Sequence, residues 1–96
     1  MSENYQKLRD VLQSGRFAIT AEIPAPVSAS SYEMEEKIKI LKGSVHAINV
    51  TDNPGATAHM SSLAGSTIVR NQEIDPILQI TCRDRNRLAI QSELMG

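Results

Sequence analysis

"PILQITCRDRNRLAIQSELMG", residues 76–96, decides how the chain is read. Ile77, Leu78 and Ile80 form an apolar run interrupted only by Gln79, the pattern of a strand covered on both faces. The run then ends in Thr81, Cys82, Arg83, Asp84 and Arg85. A strand is predicted over 76–81, opened by Pro76. Asp84 or Asn86 is placed to cap a following helix that carries Leu88, Ala89 and Leu94. A buried strand that finishes in hydroxyl, thiol and charge and hands over to a helix is one βα unit.

Two similar units precede it. "VHAINVT", residues 45–51, reads as a strand, and "DNPG", residues 52–55, as a turn: Asp and Asn bond local backbone, Pro fixes φ, and Gly accepts a positive φ. Met60, Leu63, Ala64 and Ile68 then recur with a helical period from about His59 to Arg70. Further upstream, "FAITAEI", residues 17–23, is rich in strand formers and is ended by Pro24 and Pro26. Ser30 with Glu33 fits a capping box, opening a helix whose Met34, Ile38 and Leu41 share a face and which Gly43 closes. At the start, Tyr5, Leu8, Val11 and Leu12 have helical spacing, with Gly15 as the stop.

The order is therefore a helix followed by three strand–helix units, with strands beginning near residues 17, 45 and 76. A repeat of roughly 30 residues is the size of a βα unit. This is an α/β pattern, and it implies a parallel sheet with strands adjacent in the order 1-2-3. In parallel α/β architectures ligands lie beyond the carboxyl ends of the strands. Those ends here are Glu22, Thr51–Asp52–Asn53, and Thr81–Cys82–Arg83–Asp84, polar in every case where the preceding residues are apolar. A (βα)8 barrel takes about 250 residues. Residues 1–96 are thus expected to be the N-terminal fragment of a single TIM-barrel domain, three of its βα units. Open sheet edges would favour a homo-oligomer or association with a further protein chain.

Composition narrows the function classes. The chain is 41% hydrophobic and 22% charged with a formal net charge of −1, so no basic footprint for nucleic acid or an anionic membrane is present. Aromatic residues make up only 3%, too few for a base-stacking platform. No stretch approaches the ~18 apolar residues of a membrane span. The single cysteine, Cys82, cannot form an internal disulfide, and a reducing cytoplasm is the simplest setting. His46 and His59 lie in separate segments without ligand-spaced partners, so no metal site is expected.

Three segments in order, "AEIPAP" after a strand, "INVTDNPGATAHMSSLAG" and "QITCRDRNRLAIQSELMG", resemble the N-terminal portion of the methylenetetrahydrofolate reductase family. The resemblance covers about residues 17–96. It implies a (βα)8 barrel that binds a flavin, usually FAD. Hydride passes from a reduced nicotinamide to the flavin and then to 5,10-methylenetetrahydrofolate, giving 5-methyltetrahydrofolate. The family's general acid at the end of the first strand falls on Glu22. The family threonine that meets flavin and substrate falls on Thr51, and the next flavin-contacting position on Asp52. A family histidine near the flavin falls on Gln79, which donates a hydrogen bond but cannot change charge near neutral pH. Ala25 stands where many members have the first of two successive prolines. The aspartate that holds the pterin ring in the family lies after the fourth strand, beyond Gly96.

Each of these residues also has a plainer reading. Glu22 suits general acid catalysis, because opening the imidazolidine ring requires protonation of a nitrogen, yet a strand-end carboxylate is also a common surface group. Thr51 is equally a β-branched strand residue beside a turn, and Asp52 a turn aspartate. Thr81 and Cys82 fit as small packed residues, and no histidine follows Cys82 to act as base. Arg83, Arg85 and Arg87 at a helix start fit either a phosphate site or a solvated, capped terminus, the second being favoured. "GATAHMSSLAG" matches neither a dinucleotide fingerprint nor a P-loop. The rival functions are a non-enzymatic fragment that docks to another chain and a flavin-free barrel lyase. No lysine stands at the strand ends for an aldolase.

Overall fold

The computed structural model describes residues 7–96. Helix α1 (Leu8–Gln13) is followed by β1 (Thr20–Pro24), α2 (Tyr32–Leu41), β2 (Ala47–Thr51), α3 (Ser62–Asn71), β3 (Asp75–Leu78) and α4 (Arg87–Met95). A single 3₁₀ turn, Pro54–Ala56, lies between β2 and α3. Tyr5, expected in the first helix, lies outside the described residues. The strands form one parallel sheet in the order β1-β2-β3, as the repeat implied.

Alternation along the strands sorts residues to two faces. Ile23, Ile48 and Val50 turn to one side, where they are buried against Met34 and Ile38 of α2 and Val69 of α3. Glu22 pairs in register with Asn49, and Asn49 with Ile77, so these three share the opposite face. Thr51 lies two residues beyond Asn49 and shares that face as well. Helix α1 sits at the amino ends of the strands, where the Leu8 N–H donates to Asp75 Oδ2 at 2.9 Å and Val11 is buried.

Several boundaries differ from the sequence reading, each for a local reason. Pairing of the first strand starts late: Ile19 exchanges bonds with His46, and Phe17, before that point, is 86% exposed. Pro24 is the last residue of β1 instead of lying outside it, a position an outer strand tolerates because no donor is needed there. The second strand begins at Ala47, since Val45 bridges to Lys42. Helix α2 starts at Tyr32, with Ser31 as its N-cap. The Ser30–Glu33 box does not form; Ser31 Oγ donates to Glu35 Oε1 at 2.9 Å, and Ser30 Oγ accepts from the Tyr32 N–H at 3.3 Å.

Helix α3 carries the largest correction. It begins at Ser62, with Ser61 Oγ accepting from the Ala64 N–H at 3.1 Å. Of the periodic residues, Met60 and Ile68 pack partly buried against the core and Leu63 and Ala64 are exposed, while the buried positions of the helix are Ser62, Gly65, Ser66 and Val69. The reason is the closeness of helix and sheet: a Cβ on Gly65 would lie 2.9 Å from Val50 Cγ1 and 3.3 Å from Ala25 Cβ. Only small side chains fit there. In α4, Asn86 and not Asp84 is the cap, its Oδ1 accepting from the Ala89 N–H at 2.8 Å. Leu88 and Leu94 remain exposed. Among the described residues no helix is long and apolar enough to cross a membrane.

Candidate functional site

The parallel register brings the carboxyl ends of all three strands to one end of the sheet, and Glu22, Thr51 and Gln79 all lie there. Glu22, at the third position of β1, is exposed on the face away from the helices. Its neighbour across the ladder is Asn49, half-buried. Gln79 lies one residue past β3, and its Nε2 approaches Asn49 Oδ1 at 3.5 Å. The Thr51 hydroxyl oxygen is shielded from solvent and has no hydrogen-bond partner. Glu22, Asn49, Thr51 and Gln79 therefore make a polar row on one face of the sheet near its carboxyl end.

Asn49 was missed by the sequence reading. Its signal was the alternation itself: Ala47, Asn49 and Thr51 share a face, so the one carboxamide in the second strand had to lie next to Glu22.

Asp52 occupies a different position. It is 8% exposed, and both of its oxygens are engaged within the chain. Oδ2 accepts from the Thr81 N–H at 2.8 Å and from Arg85 Nη1, while Oδ1 accepts from Arg85 Nη2 at 3.2 Å. Arg85 Nη1 also donates to the Thr81 carbonyl at 2.9 Å. This explains why β3 ends at Leu78 and not at Thr81. Beyond Leu78 the main chain is held by side chains in place of a neighbouring strand. The Gln79 N–H still reaches the Val50 carbonyl at 3.3 Å, while its own carbonyl accepts from Ser62 Oγ at 2.7 Å.

The electrostatics follow from this geometry. The Arg85 guanidinium, helped by the Thr81 N–H and opposed by burial, holds the Asp52 carboxyl below the usual carboxylate range. A depressed folded-state pKa stabilises the fold above about pH 4, the unfolded value, and that contribution is lost as pH falls through the folded value. Asp52→Asn should thus lower the unfolding free energy by about 2 kcal/mol at pH 7 and by much less near pH 3. Urea unfolding at both pH values measures this; an equal loss at both would contradict the ion pair.

The remaining candidates serve the scaffold. Arg83 donates to Asp84 Oδ2 at 2.9 Å and to the Asn53 carbonyl at 3.0 Å, a second tie between the loops after β2 and β3. Cys82 is exposed, against the expectation of a packed residue. His46 extends the β1–β2 pairing: its Nδ1 accepts from the Ile19 N–H at 2.9 Å and its N–H donates to the Ile19 carbonyl at 2.7 Å. The His59 N–H donates to Asn53 Oδ1 at 3.0 Å, fixing the turn. Asn53 takes a left-handed φ of 44°, which asparagine tolerates. A hollow of 480 Å³ between Ile19, Lys42, His46 and Glu73 is at the amino end of the sheet and away from the polar row.

A polar row at the carboxyl end of a parallel sheet is a place for a ligand in many unrelated proteins, and the comparison with known families decides among them. The methylenetetrahydrofolate reductase family matches residues 7–96. The chain belongs to that family. The three strands alternating with helices are consistent with a partial α/β TIM barrel of this family, one of folate-related oxidoreductases that is generally flavin-dependent. No curated protein and no solved structure matches the chain.

Proposed function

We propose that these residues form the acid-bearing part of a flavin-dependent reductase that converts 5,10-methylenetetrahydrofolate to 5-methyltetrahydrofolate, with a reduced nicotinamide such as NADH as donor. The observation that carries this reading is the polar row: an exposed carboxyl group, two carboxamides and a shielded, unpartnered hydroxyl on one face at the carboxyl end of the sheet. In this reading the chain is the first part of a longer barrel, whose remaining units cover that face.

The donor set fits a flavin. The rim of an isoalloxazine ring presents both hydrogen-bond acceptors and a donor, and carboxamides and hydroxyls answer both kinds. Gln79 and Thr51 would meet the ring, with Thr51 also facing the substrate, and Asp52 would border it. FAD, when bound, supplies a two-electron carrier between the nicotinamide and the folate. The chain's own part is acid–base and positional. Glu22 would deliver a proton to the folate nitrogen freed by ring opening. The Thr51 hydroxyl has no partner among the described residues and is shielded from solvent, so it would meet a ligand by turning outward. Gln79 keeps a neutral carboxamide where a histidine would titrate, so it donates the same bond at every pH near neutrality.

The test is the colour of the complete barrel and the identity of what it releases. A yellow preparation that yields FAD on denaturation supports the proposal; a colourless protein that binds no added flavin overturns it and favours the docking or lyase reading. Residues 1–96 alone are expected to lose flavin on gel filtration and to self-associate, because the outer edge of β3 has no strand beside it among the described residues. A monomeric fragment that stays yellow would show that three units suffice.

A further inference from the structure

The bonds around residues 79–81 carry an inference that rests on the flavin reading above and deepens it. The stretch has left the sheet, yet its polar groups are fixed from three sides. Val50 and Ser62 hold the Gln79 main chain, Asn49 approaches the Gln79 carboxamide, and Asp52 with Arg85 grips the N–H and carbonyl of Thr81. Asp52 is the only acid in this network, and none of its oxygens is left without an internal donor.

We propose that Asp52 is a positioning residue for the flavin site, acting through Thr81 and Arg85 to present the Gln79 carboxamide, and not a direct flavin ligand. The carboxylate accepts two bonds on Oδ2 and one on Oδ1, and with its side chain only 2% exposed the lone-pair direction left on Oδ1 does not face solvent, so reaching a ring donor would mean turning outward and stranding Arg85 half-buried. Holding Thr81 fixes the main chain two residues beyond Gln79. The side chain that faces the ring is thereby locked without a continuing strand. Arg85 belongs to the same device: its fork spans the Asp52 carboxylate and the Thr81 carbonyl at once, which a single-point cation cannot do.

The experiment is a double-mutant cycle in the complete barrel. Flavin affinity is measured by titrating the apoprotein with FAD, and the position of the bound flavin's visible band is recorded alongside. Asp52→Asn keeps the shape of the side chain but, by removing the charge, weakens its bonds to the Thr81 N–H and to Arg85, so the loop loosens while the fold is retained. Asp52→Asn and Gln79→Ala should each weaken FAD binding by about tenfold and shift the band in the same direction. The double variant should be no weaker than Gln79→Ala alone, because Asp52 acts only through that side chain. Arg85→Lys, which keeps charge but loses the fork, should weaken binding less than Arg85→Gln. In the apoprotein, exchange of the Thr81 amide should speed up in Asp52→Asn, a readout that needs no flavin. Losses that multiply in the double variant would make Asp52 a direct ligand and overturn the proposal, as would an unchanged Thr81 amide. A wild-type barrel that binds no FAD removes the functional reading first, and this inference with it.

Discussion

Replacing Glu22 with glutamine in the complete barrel should slow reduction of 5,10-methylenetetrahydrofolate by about 10²–10⁴-fold while leaving reduction of the flavin by the nicotinamide near its native rate. Glutamine keeps the length and hydrogen-bonding reach of the side chain and removes only the transferable proton. Ring opening needs that proton; hydride delivery from a nicotinamide does not. Stopped-flow absorbance of the flavin separates the two half-reactions. Equal slowing of both would make Glu22 a structural or flavin-positioning residue. No slowing of either would place the acid elsewhere.

The second large effect concerns stability and lies 43 residues along the chain from Glu22 by sequence numbering, at Gly65. Helix α3 rests on the sheet so closely that a Cβ at Gly65 would meet Val50 Cγ1 at 2.9 Å. Val50 is fully buried and β-branched, so its methyl has no room to withdraw. Gly65→Leu should therefore destabilise the barrel by about 3 kcal/mol, near the upper end of overpacking costs. Gly65→Ala should lose less, since better helix propensity returns up to about 1 kcal/mol. Urea unfolding midpoints measure both. A neutral Gly65→Leu would mean that α3 does not sit on β2 as described.

Gly65 also shows where the sequence was legible and where it was not. The periodicity of Met34 and Ile38 identified the inner face of α2, because long apolar side chains mark the buried stripe of a helix that stands off the sheet. The same rule applied to α3 named Met60, Leu63, Ala64 and Ile68, of which Met60 and Ile68 pack against the core while Leu63 and Ala64 face solvent. There the backbone itself approaches the strand, and the buried stripe is made of Ser62, Gly65 and Ser66 with Val69 as its one large apolar member. Small residues on a helix read as exposed or neutral, and only the position of Val50 reveals why they are needed.

The site divides in the same way. Polar residues at three successive strand ends marked one end of the sheet, and the register of β1 against β2 then put Glu22 and Thr51 on a common face. Strand length was misread at β3, where Thr81 was counted as sheet. Its N–H is satisfied by the Asp52 side chain, a partner 29 residues away that no local pattern announces. The "DNPG" turn looked self-contained, yet its aspartate bonds the next βα loop instead of its own backbone. Long-range side-chain bonds of this kind appear only once the register of β2 against β3 is fixed.

The central claim is that this polar row serves transfer of hydride from flavin to a one-carbon folate. Its most direct test is an anaerobic absorbance experiment on the complete barrel with its bound flavin. The account predicts that a reduced nicotinamide bleaches the visible band and that 5,10-methylenetetrahydrofolate, added afterwards without oxygen, restores it with formation of 5-methyltetrahydrofolate. A bleached flavin that the folate leaves bleached would contradict it.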